Sequence, residues 1–277
     1  MNLSTVTHLY DFTGRTVVIT GGGGVLGGEM FCALVGCGAS VAILDRDMEL
    51  AERMLHSFPT PTGKAIAVYA DVLQKDALEK AAEKIVETFG RVDCLINCAG
   101  GNNARATTGP QQSFFDVPAD AIRFVVDLNL MGTILSCQVF GKRMAEQKSG
   151  IILNVASMAS VRPLTKVLAY AAAKAGVANF TQWLAVHMAQ EYDPNIRVNA
   201  LAPGFFLTEQ NRYLMTEKET GELTPRGKTV VAHTPMARLG APEDLLGAVL
   251  WLLSPASAFV TGIVLPIDGG FSAFAGV

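Results

Sequence analysis

The stretch Thr16–Asp45, TVVITGGGGVLGGEMFCALVGCGASVAILD, decides the fold. A short run rich in β-branched residues meets four consecutive glycines, then a helical apolar pattern from Leu26 to Val35, then a second apolar run over Ser40–Leu44. Strand, glycine turn, helix and strand in that order make a βαβ unit, whose strands are parallel. Gly22, Gly24 and Gly27 match GxGxxG. Without Cβ atoms the main chain can approach a pyrophosphate, and the free N–H groups at the helix start hold it with the help of the dipole. The candidate cofactor residues on this turn are Gly21, Gly22, Gly24, Val25, Leu26 and Gly27. Asp45 ends the second strand eighteen residues after Gly27, where a carboxylate accepts bonds from an adenosine ribose and repels a 2′-phosphate. NAD is therefore expected rather than NADP, although Arg46 beside it is able to turn towards such a phosphate. Helix capping by Asp45 or Asp47 is the other use of these carboxylates.

The same alternation continues outward. Strand-length runs recur at Ala65–Ala70, Val92–Asn97, Ile151–Ala156, Arg197–Ala200 and Ile263–Ile267, most with helix-length segments between them. Continuous apolar strands between helices predict a single-domain α/β fold: a doubly wound, parallel, seven-stranded, Rossmann-like sheet with helices on both faces. At 277 residues, with no repeat and no linker, residues 1–277 read as one domain. The polar stretch 207–234 interrupts the pattern after Pro203-Gly204 and reads as a helical lid over the carboxyl edge of the sheet, with a plain solvated insertion as the alternative.

Composition narrows the function classes. Half the residues are hydrophobic and 17% are charged, which supports a large core and excludes bulk disorder. A net charge of -3 offers no attraction to nucleic acid or anionic lipid. The five cysteines lack CxxC pairing or nearby histidines, so reduced thiols and no metal site are expected. The first residues lack a basic flank and an apolar core, so no secretory signal is read and the cytoplasm is the expected compartment. Leu245–Ile267 carries no charge and is about long enough to span a bilayer, but Pro255, two serines and Gly262 break it. It is expected to form a buried helix, a turn and a buried strand.

Tyr170 and Lys174 lie four apart in LAYAAAKAGVANF, whose alanines and spacing predict a helix, so they share a face. An ammonium there favours phenolate; moving a tyrosine from about pH 10 to near 7 takes about 4 kcal/mol of differential stabilisation. A surface pair is the alternative for YxxxK alone.

The pair stands among further motifs, and together they resemble the short-chain dehydrogenase/reductase family over nearly the whole chain. TGGGGVLG at Thr20–Gly27 is similar to its cofactor loop, Asp71-Val72 to its adenine contact, and NCAG, from Asn97 through Ala99 to Gly100, to its strand-four motif. Asn129, Ser157, Tyr170 and Lys174 match its catalytic tetrad, with the family's thirteen-residue interval between Ser157 and Tyr170. VNALAPGFFLT, with Pro203, Gly204, Phe206 and Thr208, matches the segment that meets the nicotinamide. The resemblance implies proton exchange at Tyr170 while hydride passes between the cofactor and the same carbon. Ser157 would bond the reacting oxygen, Lys174 would bind the ribose and lower the tyrosine pKa, and Asn129 would hold a water leading to bulk. A structural use of Ser157 as a turn residue, or of Asn129 in bonding a neighbouring backbone, is the alternative. Val25 departs from the family, which has glycine there; a helical backbone would tolerate it.

Candidate substrate residues follow the motifs: Gly101, Asn102, Asn103 and Arg105 after NCAG, Met158 and Arg162 after Ser157, and Phe205, Gln210, Asn211 and Arg212 at the lid. Amides and guanidiniums suit a hydroxylated anion, with an arginine forking onto a carboxylate, although any one arginine could simply face solvent. TGGGGVLGG, NCAGGNN and PGFFLTEQNR are similar to the branch of the family that interconverts D-mannonate and D-fructuronate, which implies a sugar-acid substrate and NAD(H). A gluconate or 2-deoxygluconate dehydrogenase asks for the same contacts. Reduction of a 3-oxoacyl carrier protein ranks below both, since it calls for NADPH and a basic docking surface. From another class, a dinucleotide-sensing protein without turnover would keep the fold and dispense with the tetrad. The family resemblance implies a homotetramer.

Overall fold

The computed structural model describes residues 2–57, 64–208, 212 and 214–276. Seven strands form one sheet: β1 Thr16–Thr20, β2 Ser40–Asp45, β3 Ala65–Tyr69, β4 Cys94–Asn97, β5 Gly150–Val155, β6 Ile196–Pro203 and β7 Val264–Ile267. All neighbouring pairs are parallel, in the order β3-β2-β1-β4-β5-β6-β7. The order reverses between β1 and β4, which opens a crevice at their carboxyl ends. The predicted strands are all present. β6 runs further than expected, to Pro203, and thereby carries Pro203-Gly204 to the crevice.

The helices in chain order are α1 Leu3–Leu9, α2 Val25–Gly36, α3 Met48–Ser57, α4 Lys75–Phe89, α5 Ala119–Val126, α6 Gly132–Gln147, α7 Leu168–Glu191, α8 Pro225–Ala232 and α9 Leu246–Leu253. Strand side chains alternate between two cores. Val17, Ile19, Val41, Ile43 and Ile96 meet Phe31 and Leu34 of α2 and Val249 and Leu252 of α9. Val18, Ala42, Leu44, Leu95 and Ile152 meet α4, α6 and α7 through Leu78, Ile85, Phe140 and Met188. Both faces are therefore dry, which is why these strands read as unbroken apolar runs and not as alternating ones.

Within 207–234 the described residues include α8, capped by the Thr224 hydroxyl, which accepts from Gly227 N at 3.0 Å. Leu245–Ile267 is indeed a helix, a turn and a strand, with one correction. β7 is partly exposed, because it is the edge of the sheet and lacks a neighbour on one side. By length and composition the run 119–147 would also suffice to cross a membrane, and half of its most apolar window is buried inside the fold.

Two arginines hold the end of α9 against the sheet. Arg197, nearly buried, donates to the carbonyls of Leu252 at 2.9 Å, Ser254 at 3.2 Å and Val260 at 3.1 Å, and Arg15 donates to Leu253 O at 3.1 Å. The last carbonyls of a helix have no partner of their own, and cations there also oppose the dipole favourably. Arg197→Leu is expected to cost about 1.5–3 kcal/mol in urea unfolding, since it removes the charged donor shared by three carbonyls, each of which keeps a second donor from Ser257 or Asn199.

Candidate active site

A cleft of about 460 Å³ runs along the carboxyl ends of the central strands. Its floor is the glycine turn. Gly21 has φ +66°, and a Cβ there would lie 2.7 Å from Ala99 Cα; one on Gly27 would lie 2.5 Å from Gly21 O. The two glycines thus let the turn, β4 and α2 touch through main chain alone. Gly24 is the N-cap of α2, is extended, and makes no side-chain capping bond. Val25 opens the helix, so its departure from glycine costs no strain. Gly21, Gly24, Val25, Leu26 and Gly27 line the cleft. An uncapped helix start bordered by bare backbone suits the diphosphate of a dinucleotide. Gly22 is a correction: it is buried away from the cleft, and a Cβ there would meet the Ile43 side chain at 2.9 Å.

At the adenosine end, Asp45 and Arg46 line the cleft with Asp71 and Val72. The Asp45 carboxylate accepts from Gly23 N at 3.2 Å and Asp47 N at 3.1 Å, so it braces the turn as well as facing the crevice. Capping of α3 falls to Asp47, which accepts from Leu50 N at 3.2 Å. Ala99, Gly100, Pro203, Gly204, Phe206 and Thr208 line the other end. Asn97 is a second correction. It points into the core, donating to Asn154 Oδ1 at 2.8 Å and Cys137 Sγ at 3.2 Å, because its position on β4 faces α6 and not the crevice.

Ser157, Tyr170 and Lys174 come together in the cleft, with the Ser157 side chain close enough to Tyr170 to act on its phenol. Ser157 follows β5 and also caps a single turn, accepting from Ala159 N at 3.1 Å. Lys174 Nζ donates to Val155 O at 2.7 Å and stands 5.7 Å from the centre of the Tyr170 ring. Asn129 lies in a one-turn π-helix, 127–131, between α5 and α6. The wide turn re-aims its side chain. Its amide donates to Gly101 O at 2.7 Å and Val125 O at 2.8 Å, and its oxygen accepts from Gly101 N at 3.1 Å. Both amide hydrogens are thus spent on backbone, and the side chain clasps the loop after β4. Gly100 sits between the two groups: a Cβ there would lie 2.7 Å from Asn129 Oδ1 and 3.3 Å from Lys174 Nζ.

Burial pushes the Tyr170 phenol up, with the Ser157 side chain opposing it, so the expected lowering by Lys174 is not what this state shows. Loss of water around the phenolate outweighs that contact. Burial also brings the Lys174 ammonium down, to about 8. Cys98, whose place in the cleft the sequence did not reveal, has its thiol pushed up to about 11 by burial, so it is not a nucleophile there.

The substrate candidates are dispersed. Asn102 bonds Thr107 and Asn103 caps the turn at Arg105. Arg105 is already neutralised by Asp120, at 2.9 Å. Met158 is buried below the surface of the cleft, and Phe205 faces a second cavity beside it, packed edge-on against Phe271 at 5.2 Å. Arg162 is bound to Ser272 O. Gln210 and Asn211 lie outside the described residues, and Arg212 is exposed and not without a partner. Long polar side chains found local acceptors, a choice that sequence spacing does not encode.

A family model described as enoyl-(acyl carrier protein) reductase matches residues 26–272. An uncharacterised oxidoreductase of Bacillus subtilis is 47% identical over 276 residues, covering 96% of this chain and 98% of its own. The 5-keto-D-gluconate 5-reductase of Escherichia coli K12 is 33% identical over 267 residues, covering 96% and 98%. A solved structure from Haemophilus influenzae, provisionally named a D-mannonate oxidoreductase and holding NAD, superposes with a TM-score of 0.88 at 40% identity, over 98% of this chain and 100% of that one.

The buried ammonium has a consequence for stability. An unfolded lysine keeps its proton to about pH 10.5, whereas folded Lys174 releases it near 8. Below 8 the folded chain bears the full desolvation cost, on the order of 3 kcal/mol, and the cost is relieved as pH rises from 8 to 10.5. Lys174→Met escapes this term. Its stability relative to the parent, read by urea unfolding, is expected to fall by that amount between pH 7 and 10.5; a constant difference would show that the ammonium is not desolvated.

Proposed function

The chain belongs to the short-chain dehydrogenase/reductase family, and we propose that it interconverts D-mannonate and D-fructuronate with NAD(H). It is an oxidoreductase of a family that uses NAD(P). The convergence of Ser157, Tyr170 and Lys174 in one cleft supports the chemistry, and likeness to the NAD-bound Haemophilus influenzae protein supports the substrate and cofactor.

Bound NAD(H) would supply or accept the hydride, held by the α2 N-terminus, Asp45 and the Pro203–Thr208 segment. In reduction the Tyr170 phenol gives its proton to the substrate oxygen, and the Ser157 hydroxyl bonds that oxygen as charge develops on it. Lys174, fixed by Val155 O, keeps a positive charge beside the phenol and has two N–H groups left for ribose hydroxyls. Asn129 holds Gly101 and thereby the wall next to the reacting carbon; proton relay through water would use its one remaining oxygen lone pair. Asp45 rejects a 2′-phosphate. Reduction of 5-keto-D-gluconate is the second reading, favoured by the Escherichia coli relative.

We place the enzyme in the cytoplasm, on its five unpaired cysteines, and assign it a homotetramer. The exposed ring stack on α7 supports assembly, with Trp183 over His187 at 4.7 Å and Tyr192 edge-on to that ring at 5.6 Å. Light scattering after gel filtration is expected to give four times the chain mass.

NADH oxidation is expected with D-fructuronate, and NAD reduction with D-mannonate, both well above the gluconates. Tyr170→Phe is expected to cut turnover by about 10²–10⁴ while leaving NADH fluorescence titrations unchanged. Full activity in that variant would dismiss the assigned chemistry. Asp45→Ala is expected to narrow the ratio of kcat/KM for NADH over NADPH.

A further inference from the structure

Resting on the sugar-acid reading, we infer that Arg162 is the receptor for the substrate carboxylate, held in place by the C-terminal turn 268–272, and that it sets a preference for anionic over neutral hydroxyketones. The other arginine near the β4 loop is not available: Arg105 is paired in a fork with Asp120, at 2.9 and 3.2 Å. Arg162 is different in kind. Its Nε and Nη2 donate to one acceptor, the Ser272 carbonyl, at 3.1 and 2.9 Å. That acceptor is neutral, so the guanidinium keeps its full charge, and Nη1 makes no bond among the described residues. An arginine whose one edge is anchored presents the other edge preorganised, and a carboxylate takes such a pair of N–H groups in a planar fork.

The place of this guanidinium follows from what each end of the bridge is attached to. On one side, Arg162 N bonds Met158 O at 2.9 Å and closes the turn that begins at Ser157. On the other, Ser272 N bonds the Asp268 carboxylate at 2.7 Å, and Asp268 packs so tightly on Gly204 that a Cβ there would lie 2.7 Å from its Cα. Ser157 and Gly204 both line the cleft, on the catalytic and the nicotinamide side respectively. The bridge from Arg162 to Ser272 therefore ties together the chain segments that carry these two walls. Phe271 against Phe205 fixes the same turn from behind. The one carboxylate within the turn, Asp268, is spent on the N–H groups of Gly270 at 2.9 Å and Ser272, and it does not neutralise Arg162. An exposed guanidinium is screened by water, but a substrate seated against it excludes that water and strengthens the pair.

The test compares D-fructuronate with D-fructose, which carries CH₂OH where the acid carries its carboxylate, in the intact enzyme with NADH. Arg162→Met is expected to lower kcat/KM for the acid by about 10- to 100-fold, mostly through KM, because one charged hydrogen-bonded contact is lost. The NADH affinity stays unchanged, and the ratio of kcat/KM for the acid over D-fructose falls. Arg162→Lys keeps the charge without the fork and falls between the two. An equal loss on both substrates would reduce Arg162 to a strap for the C-terminal turn and overturn the inference while leaving the sugar-acid reading intact. A parent enzyme with no preference for the acid would overturn both. Thermal unfolding of each variant separates these outcomes from loss of the fold.

Discussion

The bond from Lys174 Nζ to Val155 O joins the end of β5 to the second turn of α7, and the candidate site is arranged around it. A charged group is buried with one carbonyl as its hydrogen-bond partner among the described residues, which is costly, and Gly100, Cys98 and the Tyr170 ring enclose it. The same burial that strains the lysine keeps its charge strong, because little water is present to screen it. Stability and chemistry pull in opposite directions at this residue.

A second polar chain supports the first from within the core. Asn154, the residue before Val155, donates to Thr181 Oγ1 at 2.9 Å and accepts from Asn97. Tyr170, Lys174 and Thr181 recur at helical spacing on one face of α7, so two successive residues of β5 fix both the height and the rotation of that helix. Asn97 Oδ1 is left buried without a partner, which marks a network built for geometry more than for stability. The π-turn at Asn129 does comparable work on the other wall, turning an amide onto Gly101.

Much of this was legible in the sequence. The seven strands, the parallel sheet, the glycine turn and the shared face of Tyr170 and Lys174 followed from apolar runs, glycine placement and helical spacing, whereas the approach of Ser157 to that pair was implied by the family resemblance. These signals are local. The misplacements were also systematic: Gly22 and Asn97 sit in the right motifs but face the core, and each was betrayed by a neighbour on another element, Ile43 in one case and Asn154 in the other. Which side of a turn or strand a residue faces depends on packing that no motif carries.

The sequence by itself determined the α/β class, the strand count and the crevice, because periodicity and turn chemistry act within a few residues of chain. Only the tertiary structure decided which partners the long cationic side chains take. Arg105 found Asp120 and Arg162 found Ser272, 110 residues away in the chain. Hydrogen-bond partners for long side chains are settled by proximity in space, which no local pattern in the sequence encodes.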